Sequence, residues 1–301
     1  MSNAQSIPVS IPPLNIRILI ATLALLVFAA GCTTVPPAEV LAVPAAPQKY
    51  AAIVVDARTG KQIFEVNSTA PRYPASLTKM MTLYLTFEAL ESGRITKETP
   101  IPVSANAARQ PPTKLHLRTG ETIDVDTAIR ALVVKSANDV AVAVAEYLGG
   151  SEEQFAAAMT AKARQLGMRS TVFRNASGLP DEGQHTTARD MALLGMALRR
   201  RFPQHYHYFS DRDFMFRGKQ VRGHNDMLGR VAGVDGIKTG YIRASGFNIV
   251  TSYNMGGRQL VVVVMGADTA RQRNDHAEAL LQRALAPSSR EPRLIFAGGA
   301  R

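Results

Sequence analysis

Three short groups of residues carry chemistry by type and spacing: Ser76 with Lys79, Ser136 with Asn138, and the run Lys238-Thr239-Gly240. A serine hydroxyl is a weak nucleophile until a base takes its proton. Lys79 follows Ser76 by one helical turn, so its amine can reach that hydroxyl. Pro74 precedes the pair and puts Ser76 near a helix start, where backbone N–H groups and the helix dipole favour a developing oxyanion. An ammonium is no base. Lys79 can serve only if burial and a nearby cation destabilise its proton, and Lys238 is the candidate cation. Ser136 can donate and accept hydrogen bonds, which suits a proton relay between Ser76, the lysines and a leaving amine, while Asn138 offers an amide to a substrate backbone. Gly240, at the mouth of a strand, would let an extended peptide approach closely and pair with the edge. Lys238 and Thr239 would then stand beside a terminal carboxylate as a point charge and a hydroxyl donor. Each motif alone occurs by chance; their joint occurrence in this order is the signal.

The elements that must position these groups follow from periodicity. Ala51–Ala57 and Gln62–Val66 read as two strands joined by the turn Arg58-Thr59-Gly60-Lys61. Met80, Met81, Tyr84, Phe87 and Leu90 recur at helical spacing. Asp126 is expected to cap a helix running to Val134, and a second helix to run from Asn138 to Leu148. Ser151-Glu152-Glu153-Gln154 reads as a capping box opening a helix that ends at Gly167, and Thr187 as the cap of another through Leu198. Val234–Lys238, Gly246–Ser252 and Leu260–Met265 read as strands, and Asn274–Leu285 as a closing amphipathic helix. Strands at both ends with helices between predict an α+β fold, one sheet built from both chain ends around a helical insertion.

The motifs resemble those of the low-molecular-mass penicillin-binding proteins, the serine D-Ala-D-Ala carboxypeptidase family. Longer stretches carry the likeness: Tyr73 to Met81, Lys135 to Asp139, Asn175-Ala176-Ser177-Gly178-Leu179-Pro180, and Gly233 to Tyr241. The three triplets are the signature set of that group and of class A β-lactamases. The resemblance implies that Ser76 is the acyl-ester nucleophile, Lys79 its proton acceptor, Ser136 the second catalytic serine and Lys238 a substrate-binding residue. It also implies an oxyanion hole from the backbone N–H groups of Ser76 and Tyr241, with Asn138, Thr239 and Gly240 completing the substrate site. The implied fold is a five-stranded antiparallel sheet flanked by helices, beside a mostly helical lobe. The implied partners are peptidoglycan stem peptides and inhibitory β-lactams, with no metal or organic cofactor.

Rival readings stay in view. A class A β-lactamase is expected to carry Glu-x-x-Leu-Asn between Asn138 and Lys238; no such string occurs there, and the middle motif has Ala137 where that class favours Asp. A cross-link endopeptidase and a non-catalytic penicillin-binding sensor share the same motifs. His205 and His207, with His224 and Asp226 nearby, raise zinc chemistry, but no His-Glu-x-x-His completes a site, and the pair is expected on an exposed hairpin spanning Tyr206–Arg222. Arg243 is either a carboxylate holder or a solvent-exposed loop residue.

A composition of 46% hydrophobic and 20% charged residues is that of a globular protein, and the net charge of +11 asks for an anionic partner. The basic residues are scattered, without aromatic interleaving, so nucleic acid ranks below the anionic lipids and polymers of a cell envelope. Arg17 precedes Ile18–Ala30, apolar except for Thr22, and Ala29-Ala30-Gly31-Cys32 follows. This is the pattern of a signal peptide over 1–32, too short for a membrane span. Small residues before Cys32 also resemble a lipobox, so Cys32 is expected either to carry a lipid anchor or to be incidental. Pro36, Pro37, Pro44 and Pro47 make 33–48 a linker, 49–286 the catalytic domain, and 287–301 a short tail with no room for a C-terminal β domain. The expected location is the periplasm or cell envelope.

Overall fold

The computed structural model describes residues 49–286. The readings of a signal segment, of Cys32, of the linker and of the tail therefore lie outside the described residues. Nine strands and seven α-helices occur among the described residues. The main sheet comprises β1 (Ala51–Asp56), β2 (Gln62–Val66), β7 (Val234–Ile242), β8 (Gly246–Met255) and β9 (Arg258–Ala267), ordered β2-β1-β9-β8-β7 and antiparallel throughout. The three late strands run longer than their apolar cores alone suggest, because hairpin pairing continues into the polar ends.

Alternation along β9 explains its unbroken apolar run. Val261, Val263 and Met265 face one core with Leu77, Met80 and Phe87, while Leu260, Val262 and Val264 face another with Leu280 and Leu281. The sheet is thus covered on both faces. α7 (Ala270–Leu285) covers one; α1 (Lys79–Glu91) and α6 (Ala188–Arg201) belong to the other side. α7 begins earlier than its apolar stripe, because Thr269 caps it by accepting a hydrogen bond from the Gln272 N–H.

The remaining elements form the helical lobe: β3 (Pro100–Pro102), α2 (Ala105–Arg109), β4 (Thr122–Asp124), α3 (Val125–Arg130), α4 (Asn138–Gly149) and α5 (Glu152–Gln165). The predicted helix through Val134 changes character midway. Its cap is Asp124, which accepts from the Thr127 N–H, and not Asp126, which pairs with Arg130. After Arg130 the backbone widens to π geometry over Ala131–Lys135 and ends with Ser136 in the left-handed region, φ 60° and ψ 37°. Such wide turns recur at functional sites. The hairpin of β5 (Asp213–Phe216) and β6 (Lys219–Arg222) is shorter than expected. Tyr206–Ser210 is a 3₁₀ turn driven inward by Tyr206, Tyr208 and Phe209, all buried.

Candidate active site

Ser76 sits in a 3₁₀ turn, Ala75–Thr78, that leads directly into α1. From Pro74 to Met80 every residue is buried except Ser76, which is partly open. The turn is held from below. Ala75 has φ 48°, unusual for a residue with a side chain, and a Cβ on Gly178 would stand 1.8 Å from the Ala75 carbonyl oxygen. Only glycine fits there. From the sheet side, Asn248 donates to the carbonyls of Tyr73 at 3.1 Å and Pro74 at 3.4 Å, and accepts from the Gly266 N–H at 2.9 Å.

Gly240 lines the cleft and also makes a close approach within the protein. A Cβ there would meet the backbone nitrogens of Ser76 at 3.0 Å and Leu77 at 3.1 Å. The missing side chain lets β7 pack against the serine turn, so the close approach is made by the protein itself.

Lys79 is fully buried. Its Nζ lies 2.7 Å from Asn138 Oδ1, 2.5 Å from the Ser177 carbonyl oxygen and 3.3 Å from Ser76 Oγ. Burial pushes its pKa well below the ordinary lysine value, and the charge of Lys238 pushes the same way, against Asp139 and Glu152. A neutral amine has two N–H groups and one lone pair. Asn138 and Ser177 take the two hydrogens, which leaves the lone pair for the Ser76 hydroxyl. Asn138, which also lines the cleft, accepts from Lys79 through its oxygen and donates from Nδ2 to the Pro111 carbonyl at 2.9 Å.

The Ser177 carbonyl depends on a braced loop. Thr82 Oγ1 donates to the Ala176 carbonyl at 2.7 Å, Glu152 Oε1 accepts from the Ala176 N–H at 2.9 Å, and the Gly178 N–H donates to Asn175 Oδ1 at 2.7 Å. Burial raises the Glu152 pKa, and the Ala176 N–H partly offsets that.

Ser136 is buried at the cleft wall, and its hydroxyl has no hydrogen-bond partner among the described residues. Its backbone is fixed by Thr113, whose Oγ1 donates to the Ser136 carbonyl at 2.9 Å. Across the cleft, Thr239, Gly240 and Tyr241 line the wall, and the exposed Tyr241 ring packs tilted against Phe247, with ring centroids 4.3 Å apart. Lys238 is buried behind them, with Nζ donating to the Thr239 carbonyl at 2.9 Å. Burial, aided by Arg273, lowers its pKa to about 7.

Arg273 is a charged lining residue that sequence reasoning missed. It is buried, donates twice to Asn274 Oδ1, and has its pKa lowered to about 10 by burial. The signal was available: an arginine in α7 one turn before the core residue Ala277 is an anomaly on a stripe otherwise made of Leu280, Leu281 and Ala284. The cleft, about 470 Å³, brings together Ser76, Ser136, Asn138, Thr239, Gly240 and Tyr241. Arg243 does not line it.

The histidine reading is corrected. His205 is buried, stacks on Phe87 at 5.1 Å and bonds Glu91 at 3.0 Å, inside the aromatic core and not on a hairpin. Among the described residues no cluster of three or more His, Cys, Asp or Glu side chains could hold a metal.

Residues 40–269 match the D-alanyl-D-alanine carboxypeptidase family. The chain belongs to that family. The D-alanyl-D-alanine carboxypeptidase DacD of Escherichia coli (strain K12) is 36% identical over 237 residues, covering 76% of this chain and 61% of its relative. The chain thus spans about three fifths of the length of that relative. Penicillin binding protein 5 from Haemophilus influenzae superposes with TM-score 0.75 at 33% identity, over 77% of this chain and 69% of the other. Penicillin-binding protein D2 from Listeria monocytogenes, solved in its cefotaxime-bound form, gives TM-score 0.68 at 28% identity, over 77% and 95% of the two chains. The fold is therefore that of the penicillin-binding DD-peptidases.

Proposed function

We propose that this chain is a serine D-Ala-D-Ala carboxypeptidase that removes the terminal D-Ala from peptidoglycan stem peptides. The observation that carries the reading is the Lys79 amine, buried and with both hydrogens claimed, aimed at a partly open serine. Ser76 Oγ attacks the carbonyl of the penultimate residue as Lys79 takes its proton, and the oxyanion forms against the N–H groups of Ser76 and Tyr241. The terminal carboxylate rests against Lys238, Thr239 and Arg273. Ser136 passes the proton to the leaving amine, the C–N bond breaks, and water deprotonated by the same lysine hydrolyses the ester. A β-lactam amide presents the same atoms to the same groups and acylates Ser76. The substrate places the enzyme in the cell envelope, reached through the leader at 1–32, with Cys32 as a candidate lipid anchor, 33–48 as tether and 49–286 as the catalytic domain.

The deciding measurement is release of free D-Ala from an N-acylated D-Ala-D-Ala peptide. Release that vanishes in Ser76→Ala and on penicillin treatment is expected. Release that survives Ser76→Ala, or rapid turnover of penicillin itself, overturns the proposal.

A further inference from the structure

Ser136 depends on its backbone for position. Its hydroxyl has no hydrogen-bond partner among the described residues, and its φ of 60° is costly for a residue with a side chain. Such a conformation persists where the surroundings over-determine it. Here the loop 111–117 acts as the clamp. Thr113 Oγ1 donates to the Ser136 carbonyl at 2.9 Å, the Asn138 N–H donates to the Thr113 carbonyl at 2.7 Å, and Asn138 Nδ2 donates to the Pro111 carbonyl at 2.9 Å. Pro112 and Thr113 line the cleft together with Ser136.

The other end of that loop is pinned by Asp139. This side chain is fully buried and forms no ion pair among the described residues. Its Oδ1 accepts from the Leu115 and Val140 N–H groups, each at 3.0 Å, and its Oδ2 accepts from Leu115 at 3.0 Å and Leu117 at 3.1 Å. His116, between the two loop donors, has φ 60°, a turn that lets both N–H groups converge on one carboxylate. A carboxylate is expensive to bury unless its oxygens are satisfied, and backbone N–H groups satisfy both here. Leu115 and Leu117 also pack into the core, but apolar contact is non-directional. The carboxylate supplies the register that packing leaves open.

We propose that Asp139 is a positioning residue for the reaction: through the loop 111–117 it fixes the backbone of Ser136, and so the aim of the relay hydroxyl. The inference rests on the relay assigned to Ser136 above and names the residue on which that relay depends. Asp139 itself does not line the cleft. Its charge also favours the proton on Lys79, as that of Glu152 does. A change in that proton moves the acid limb of a pH profile and leaves the plateau, so the plateau rate is the quantity that reads position.

The experiment compares acylation of Ser76 by a chromogenic cephalosporin in the full chain as parent, Asp139→Asn, Ser136→Ala and the double variant. Asparagine keeps the size of the side chain, removes one acceptor and turns an amide donor toward backbone N–H groups. With Ser136 present, Asp139→Asn should lower the plateau rate about 30-fold, within what a displaced reacting group costs. In the Ser136→Ala background it should lower the rate by less than about twofold, because the hydroxyl it aims is gone. Thr113→Val, which removes only the hydroxyl that grips the Ser136 carbonyl, should show the same dependence on Ser136. Melting curves confirm folded proteins, and Asp139→Ser, which retains one acceptor, replaces Asp139→Asn where the amide unfolds the chain. An equal loss with and without Ser136 overturns the proposal, as do additive effects of Thr113→Val and Asp139→Asn. Failure of the relay reading shows separately, as Ser136→Ala acylating at the parental rate, and removes the inference with it.

Discussion

The two walls of the cleft each bury a lysine, and the two lysines have different surroundings, which suit the different tasks proposed for them. Lys79, on the helical side, meets three oxygens: a side-chain amide, a backbone carbonyl and the Ser76 hydroxyl. Lys238, on the sheet side, donates to the Thr239 carbonyl and has Arg273 as a charged neighbour. Lowering the Lys238 pKa from 10.5 to about 7 corresponds to something on the order of 5 kcal/mol against the buried ammonium. An incoming carboxylate would restore that charge, so Lys238 is poised to gain from substrate. Lys79 is poised to stay neutral, because a charge on Lys238 disfavours a second charge beside it. Residue type does not assign the role; acceptors and neighbouring charges do.

The largest expected effect comes from erasing the helical side of this comparison. Lys79→Ala removes the proposed base and leaves Asn138 Oδ1 and the Ser177 carbonyl without their donor. Penicillin acylation of Ser76 should slow by roughly 10³-fold, within the range of a positioned general base. Stopped-flow acylation of a chromogenic cephalosporin measures it, with the melting curve confirming a folded protein. A rate within tenfold of the parent would dissolve the contrast between the two lysines.

A smaller effect tests the sheet side through pH. Lys238, with its pKa lowered to about 7, is charged below that pH and loses its charge as pH rises through it. kcat/KM for a substrate with a free C-terminal carboxylate should therefore fall on the alkaline side of about 7. The same substrate with its terminus amidated should lack that limb. Burial is the main cause of the lowered value and Arg273 the second, so Arg273→Gln should move the limb to higher pH even as it raises KM. An alkaline limb that stays in place in Arg273→Gln and persists with the amide would assign the titration to another group.

The same contrast marks what was legible in the sequence. The sheet side was read almost whole, because alternating apolar residues fix strands and a Lys-Thr-Gly run on one of them fixes the wall. The helical side was read in its motifs but not in its joints. Nothing in Ala131–Lys135 announces a π turn, since apolar residues at helical spacing serve both geometries, and the turn is set by tertiary packing that delivers Ser136 to the cleft. Asp126 looked like a cap because helix starts favour aspartate; Asp124 has the same chemistry two residues earlier and takes the position. Asn138 and Gly240 are read as substrate contacts, and the fold adds partners that local pattern does not announce: Lys79 for one and the serine turn for the other. Side-chain partners distant in sequence are where local pattern stops informing.

The finest test separates a charge from a hydrogen bond on the helical side. Glu152 reaches Lys79 in two ways: its carboxylate favours the lysine's proton, and its oxygen braces Ala176, next to the carbonyl that holds Lys79. Glu152→Gln keeps an acceptor for the Ala176 N–H and removes the charge. Lys79 should then lose its proton at lower pH, so the acid limb of acylation should move down while the plateau rate stays within about threefold. Glu152→Ala removes both and leaves the N–H of the buried Ala176 without its acceptor, at a cost of about 1–3 kcal/mol in stability. The plateau should fall about tenfold as the Ser177 carbonyl loosens and the lone pair of Lys79 loses its aim. Equal plateaus for the two variants, with the acid limb displaced in both, would mean that the loop needs no brace. The carboxylate would then act on Lys79 through its field alone.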